Sequence, residues 1–554
     1  MLESRRSLPL AGVVSLLVLA ALVWRGPLDI YVRRLQKGAD VVFHNRLAGS
    51  TKREELSVVM VTVNTATALR SVDERFVSVG STMASIHRSF TFDSQRFHTA
   101  ARGLSPAVFR IGGALADFTR FEDVNDEGSL HGKKKQKKKS KKLFFYSLCG
   151  TAHTWDKLNE FARSVGWEIA FCLNVLLRNG SDWDPTNAVK LIEYTAKKGY
   201  QVLWSLGNEP NGFLRKANVS LTPQQIANSF RLLRNIISST PSLRGAFIFG
   251  PDTSSPVKLK SNNTLVDPKE YLQEFLQNVG RSTNVTSFHF YYTNGRTIGL
   301  LDYLSPHTAD ILLPNMDIVR QLVEDNRPAD RSKIWLTETG ATFGGDAGVE
   351  NTFVDGFLLL DKLGVSARYG ADLVVQQNLA GASGGVLDSS AGYYPRLKFW
   401  LLLYHKRLMG VRVLNVTHDV DEGALSMDYP TRQRHFNFTS YYRIYAHCTK
   451  ISPMYSRGAI TLMVINMDSV HQTRLVLPGA LRHSIVHEYL FTPHGSMGIL
   501  AENAKMNGQP LVMPDDATLP YHAPRELTAG SPIVLLPQTY GFFVMPQANV
   551  SACL

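Results

Sequence analysis

From Leu56 onward the chain repeats one unit: a short apolar run rich in β-branched and aromatic residues, then a stretch with apolar residues three and four apart. Runs of that kind suit strands whose two faces are both covered, and the intervening spacing suits helices with one apolar face. Eight runs fit, at Leu56–Val63, Ala107–Gly112, Glu168–Leu173, Gln201–Leu206, Ala246–Gly250, Ser287–Tyr292, Lys333–Thr337 and Asp372–Gln377. Helical spacing falls between them at Asn187–Lys198, Pro223–Ile237, Pro268–Val279, Asp317–Glu324 and Asp355–Lys362. Eight such units over about 350 residues predict an α/β fold, a (β/α)8 (TIM) barrel over 52–408.

After about Val411 the pattern changes to alternating strands separated by turn residues, as at Tyr441–His447, Ala459–Ile465, Leu475–Leu477, Ser484–Leu490 and Gly541–Val544. This predicts a C-terminal all-β sandwich over 411–554. Asp40–Phe43, within 38–50, is a candidate strand to join it from the other side of the barrel.

One strip breaks the barrel pattern. Phe121–Lys142 carries acidic residues and glycines, then Lys133, Lys134, Lys135, Lys137, Lys138, Lys139, Lys141 and Lys142. Those eight lysines supply most of the formal net charge of +13, so the basic character is local. The strip reads as a basic linker at 121–142, and it offers a polyanion a contact surface. It has no interleaved aromatics and lies in no nucleic-acid-binding pattern, which argues against nucleic acid as a partner. At the N-terminus Arg5 and Arg6 precede an apolar run from Leu8 to Trp24, the pattern of a secretory signal peptide at 1–25, or of a signal anchor if it stays uncleaved. Sequons at Asn179, Asn218, Asn262, Asn284, Asn415, Asn437 and Asn549 agree with a lumenal route. Four cysteines, Cys149, Cys172, Cys448 and Cys553, are too few for a disulfide scaffold, and none has zinc-ligand spacing.

In barrels of this kind the loops after the strands form one shared concave face, so carboxylates at the carboxyl ends of strands are candidates for chemistry. Two stand out. Glu209 lies in Ser205-Leu206-Gly207-Asn208-Glu209-Pro210-Asn211 after the fourth run, and Glu338 in Ile334-Trp335-Leu336-Thr337-Glu338-Thr339-Gly340 after the seventh. A retaining glycosidase needs such a pair: one carboxylic acid to protonate the leaving oxygen and one carboxylate to attack the anomeric carbon. The charge of the nucleophile and partial burial are expected to raise the pKa of the acid, so that it keeps its proton.

Longer strings sharpen this. Ala101-Arg102-Gly103-Leu104-Ser105-Pro106-Ala107, Gly207-Asn208-Glu209-Pro210-Asn211, Tyr291-Tyr292-Thr293-Asn294-Gly295-Arg296, Asp361-Lys362-Leu363-Gly364-Val365-Ser366-Ala367-Arg368 and the C-terminal Ser551-Ala552-Cys553-Leu554 resemble glycoside hydrolase family 79 of clan A, the heparanase family. The resemblance implies a retaining endo-β-glucuronidase acting on heparan sulfate, with no metal or cofactor. It implies Glu209 as acid/base and Glu338 as nucleophile, with Asn64, Asn208, His289, Tyr291, Arg296 and Gln377 in contact with substrate, and a disulfide between Cys448 and Cys553. It further implies a proenzyme whose linker is excised by a protease, the reading favoured here because exposed polar loops are where nicking concentrates, with a retained loop that binds polyanion as the competing one.

Departures from the family pattern bear on substrate recognition. Thr62 stands near Asn64 where an acidic residue is expected, Ala114 follows Gly112-Gly113 in place of a hydroxyl residue, Gly381–Gly385 lacks a tyrosine, and Ser164 replaces a cysteine, leaving Cys149 without its expected partner. Two other functions stay open. One is a non-catalytic heparan sulfate binder, because the family includes an inactive relative; the intact Trp-Leu-Thr-Glu-Thr-Gly around Glu338 argues for catalysis. The other is an exo-β-glucuronidase or a hydrolase of another glycosaminoglycan. The partners expected are heparan sulfate proteoglycans, an activating protease, and a membrane only through residues 8–24.

Overall fold

A computed structural model describes residues 56–83, 85–86, 90–122, 148–257, 267–345, 348–381, 384–420 and 440–554. The N-terminal apolar segment, the strand expected in 38–50 and the lysine run lie outside the described residues.

Eight parallel strands form the barrel, in order Val77–Thr82, Ala107–Gly112, Trp167–Leu173, Val202–Leu206, Phe249–Thr253, Val285–Asn294, Ile334–Phe343 and Ala371–Gln377. The eighth pairs with the first, Val374 opposite Val77. The fourth meets the fifth through a bridge between Trp204 and Ile248, where the Trp204 N–H donates to the Phe247 carbonyl at 2.8 Å. The ring is thereby closed, and all eight carboxyl ends share one mouth. Helices cover the outside as their spacing requires. In Pro223–Ser239, Thr222 and Gln225 form a capping box, proline opens the first turn, and Ile226, Phe230, Leu233 and Ile237 are buried on one face.

The first strand departs from the sequence expectation. Leu56–Ser71 is not a barrel strand: it pairs antiparallel with Met409–Val420 and parallel with Gln472–Val476, inside the β domain. The cause is visible in its burial. Val59, Val61 and Val63 are buried while Met60, Thr62 and Asn64 are exposed, the alternation of a sheet with one wet face, whereas Val77–Gly80 and Ser81 are buried without a break. The fifth strand is also displaced, to Phe249–Thr253, and the strip at 121–142 begins later than its composition implies, because Thr119–Glu122 pairs in parallel with Leu148–Thr151.

The β domain is one continuous mixed sheet, running from Gln509–Pro510 through Thr539–Met545, Tyr442–Thr449, Met409–Val420 and Leu56–Ser71 to Ile533–Leu535. It closes over a single core, since Val59, Leu475 and Leu535 at one end meet Ile460, Phe543 and Met545 from the other. Cys448 and Cys553 are disulfide-bonded, with Cα atoms 5.3 Å apart, as the resemblance implies. The sheet packs on the barrel helix Asp355–Tyr369, which is buried along nearly its whole length. Phe353 stacks on Tyr540 at 4.4 Å, and Arg443 reaches Asp310 at 2.7 Å.

Candidate active site

The centre of the barrel mouth is a buried cation. Arg110, on the second strand, has no solvent exposure and lies among Asp252, Glu338, Asn208 and His289. Its Nη2 donates to Asp252 Oδ2 at 2.8 Å and to Asn208 Oδ1 at 2.9 Å, and its Nη1 donates to Glu338 Oε2 at 2.9 Å. The guanidinium lies across Gly112, two residues on along the same face, where a Cβ would come within 2.6 Å of it; only glycine leaves that room. Asp252 answers it, accepting also from Ser287 Oγ at 2.5 Å and Thr337 Oγ1 at 2.6 Å. Burial alone would raise the Asp252 pKa, but Arg110, His289 and Ser287 outweigh it and hold the carboxyl well below its usual range. Burial alone would lower Arg110, and the carboxylates around it reverse that, so it stays charged.

Glu338 is on the seventh strand with its side chain 13% exposed. Tyr291 Oη donates to its Oε1 at 3.0 Å, so each oxygen has a donor. Glu209 follows the fourth strand in a left-handed conformation, φ 51°, unusual for a side-chain-bearing residue and held by its N–H donating to the Asp252 carbonyl at 2.8 Å. Its Oε1 lies 3.1 Å from His289 Nδ1 and its Oε2 accepts from Lys216 Nζ. His289 and Tyr291 are two residues apart on the sixth strand, on one face and about 6–7 Å apart along it, and each grips one carboxylate. Glu209 and Glu338 therefore face the same space.

The sequence expectation for the acid is reversed in this geometry. Burial does favour the protonated form of Glu209, but Lys216 and His289 outweigh it and hold the carboxyl well below its ordinary value. For His289, burial and Arg110 favour the neutral ring, yet Glu338, Asp252 and Glu209 together raise its pKa. A carboxylate accepts only, so Nδ1 carries the proton between them.

Asn208 is where the sequence places it. Its Oδ1 accepts from Arg110 and from the Gly113 N–H at 2.9 Å, and its own N–H donates to Asp117 Oδ2 at 2.9 Å. With both Oδ1 lone pairs used, the group it offers a ligand is the Nδ2 donor. Gln377 ends the eighth strand, with Oε1 buried over Gly80 of the first. Arg296 is exposed, running beside Gly345, and touches neither carboxylate.

Asn64 is not in the mouth. It is an exposed residue of the β domain whose Oδ1 accepts from the N–H groups of Ala66 and Thr67, turning the strand at a register shift between Val63 and Ala68. The barrel strand that ends at this part of the mouth is Val77–Thr82, so Thr82 rather than Thr62 stands there. The departure noted at Thr62 therefore has no bearing on the site.

Four site residues were not legible as such: Arg110, Asp252, Lys216 and Asp117. A charge in the middle of Ala107-Val108-Phe109-Arg110-Ile111-Gly112 was the available signal for the first, since a fully buried strand carries arginine only where a carboxylate waits. Asp117 is buried, accepts from Asn208 and from the Val175 N–H, and is pushed up by burial to about 7. Cys172 is a buried free thiol 3.4 Å from Asp252, raised well above its ordinary value by burial.

Residues 61–364 match the family model described as Glycosyl hydrolase family 79, N-terminal domain. Heparanase of Gallus gallus is 34% identical over 494 residues, covering 83% of this chain and 89% of that protein. Inactive heparanase-2 of Mus musculus is 30% identical over 559 residues, covering 91% of each. Among solved structures, a GH51 arabinofuranosidase from Xanthomonas axonopodis pv. citri superposes with a TM-score of 0.61 at 12% identity, covering 88% of this chain and 100% of that one; it bears on the fold alone.

Proposed function

The chain belongs to glycosyl hydrolase family 79, and from that premise we propose that it is a retaining endo-β-glucuronidase hydrolysing heparan sulfate. The observation that carries this reading is the pair Glu209 and Glu338, held toward one space by His289 and Tyr291 of a single strand. Glu338 is the nucleophile, with a donor at each of its oxygens, Arg110 Nη1 and Tyr291 Oη. Glu209 is the acid that protonates the leaving oxygen, then the base that takes a proton from water when the glycosyl-enzyme is hydrolysed. Arg110 stabilises the Glu338 carboxylate and ties it to Asp252, while the Asn208 Nδ2 donor is directed at a sugar hydroxyl.

Digestion of heparan sulfate, hyaluronan and a small β-glucuronide side by side tests the substrate, and the anomer first released, read by NMR, tests retention. Glu338→Gln and Glu209→Gln should each lower turnover by several powers of ten without loss of fold. Near-full activity in either correctly folded variant sinks the assignment.

One observation favours a second reading, a non-catalytic heparan sulfate binder: Lys216 and His289 both contact the Glu209 carboxyl and hold its pKa below the ordinary value, which disfavours the protonated form an acid needs. Under that reading the wild-type chain binds heparan sulfate and cleaves none of the three substrates.

The route and processing are part of the same proposal. A lumenal route is supported by the Leu8–Trp24 run and by sequons at Asn179, Asn218 and Asn549, all exposed. Proteolytic removal of the basic strip is supported by the ladder between Thr119–Glu122 and Leu148–Thr151, which joins the two flanks by hydrogen bonds independent of the strip. Mass mapping of the secreted protein for cuts between 123 and 147 tests it.

A further inference from the structure

Glu209 meets two positive groups of different accessibility. His289 is 1% exposed and fixed between Glu209 and Arg110, whereas Lys216 is 19% exposed and reaches Glu209 from the short helix Phe213–Ala217, seven residues further along the same loop. An ammonium has three donors, and the Glu209 Oε2 uses one. Lys216 is therefore the partner that an incoming anion can reach. Resting on the reading of Glu209 as acid/base, we propose that Lys216 is a latch: it keeps Glu209 ionised until a sulfate on the leaving-group sugar captures the ammonium and frees Glu209 to take up its proton.

The balance of the cycle follows. With Lys216 turned to the sulfate, Glu209 accepts a proton from solvent. It passes that proton to the glycosidic oxygen as the bond to the anomeric carbon breaks and Glu338 forms its own bond there. When the sulfated leaving sugar departs, Lys216 returns to Glu209 and favours the carboxylate, the form required to take a proton from the water that displaces Glu338. The same lysine thus opposes the acid in an empty or unsulfated site and assists the base in the second step. The other charged or titratable groups around Glu209 are His289 and Tyr291 of the sixth strand, Arg110 of the second, Asp252 of the fifth, Glu338 of the seventh and Asp117 beneath Asn208. Tyr291 and Glu338 are half-buried and neither is a cation, and the others are buried, so none offers the substrate a comparable exposed cation. The latch makes Lys216 a specificity-determining residue for anionic leaving groups.

The test uses two synthetic oligosaccharides that differ only in N-sulfate against N-acetyl on the leaving glucosamine, and an aryl glucuronide whose phenol departs without protonation. Wild type should prefer the N-sulfated substrate in kcat/KM by about ten- to a hundredfold, the range of one charge-assisted hydrogen bond. The alkaline limb of its pH profile should lie higher with that substrate than with the N-acetylated one. In Lys216→Met the preference should collapse toward unity, the alkaline limb on the N-acetylated substrate should move up, and hydrolysis of the aryl glucuronide, which draws on Lys216 only through the base step, should fall severalfold. Lys216→Arg should restore most of the preference. A Lys216→Met enzyme that keeps both the preference and the pH profile overturns the latch and leaves Lys216 a structural tether. If that variant does not fold, identical alkaline limbs for the two substrates in wild type overturn it equally. Failure of the underlying reading looks different: Glu209→Gln would then cleave the N-acetylated substrate as fast as wild type.

Discussion

Arg110 and Arg443 are both buried among carboxylates, one at the barrel mouth and the other at the seam between the barrel and the β domain. Arg110 joins groups from the fourth to seventh strands, and two carboxylates of its network, Glu338 and Glu209, keep 13% and 18% of their side-chain surface in solvent. Arg443 joins Asp310, the Pro306 carbonyl and Asp361. Asp361 is fully buried and also accepts from Tyr445 Oη at 2.5 Å. Charge burial is common to both. What separates them is where the network ends: the first on carboxylates that a ligand can touch, the second on groups that fasten a sheet strand to barrel helices. The first is a site and the second a joint.

The sharpest way to break this contrast is Arg110→Met. It leaves Asp252 without its counter-charge and Glu338 without one of two donors, so turnover should fall by about 10²–10³ and the unfolding free energy by about 3–5 kcal/mol. Rate measurements on folded protein, with denaturant titration alongside, give both numbers. Loss of stability with turnover intact would mean that Arg110 belongs with Arg443 as a joint.

Next in size is the disulfide. It anchors the strand that carries Arg443, closing a sequence separation of 105 residues, for which loop-closure entropy gives about 4–5 kcal/mol. Cys448→Ser or Cys553→Ser should lower stability by that order, and kcat of the folded fraction should hold. Arg443→Met should follow at about 3–5 kcal/mol, again with kcat unchanged. A folded Arg443→Met protein with turnover reduced a hundredfold would show that the seam is coupled to the chemistry.

The sequence carried the barrel well because most of its strands are continuous apolar runs and its helices keep strict apolar spacing. It misplaced the first strand because Leu56–Val63 is as rich in valine as a barrel strand; the alternation that distinguishes it becomes plain only when Met60, Thr62 and Asn64 are weighed as wet positions. Asn64 was lost with it. Glu209 and Glu338 were legible because they sit at strand ends, where sequence distance and position in the mouth agree, whereas Asn208, His289, Tyr291 and Gln377 were named through the family resemblance. Lys216 was not, since nothing in Arg215-Lys216 says which of two adjacent cations turns inward; the helical turn of Phe213–Ala217 decides it. The ionisation of Glu209 was misread for the same reason.

Asp117 refines the contrast within the mouth itself. It and Asp252 are both buried carboxyls beneath the two catalytic candidates, yet Asp252 is lowered by Arg110 while Asp117, given only backbone donors and distant cations, is raised from 3.8 to about 7. A carboxyl raised on folding contributes stability in its protonated form. That contribution is complete below about pH 4 and is lost as the pH climbs through about 7. Asp252 has the opposite sign: its contribution is present above its unfolded value and is lost only in acid. Asp117→Asn keeps an acceptor for the Asn208 N–H and removes the titration. The stability of wild type minus that of Asp117→Asn should therefore fall between pH 4 and 7, with a slope no steeper than about 1.4 kcal/mol per pH unit, the limit for one proton. Denaturant titrations of both proteins across that range measure it. A flat difference would mean that Asp117 is ionised throughout, and that the cations of the mouth, Lys216 and Arg110, reach it as effectively as Arg110 reaches Asp252.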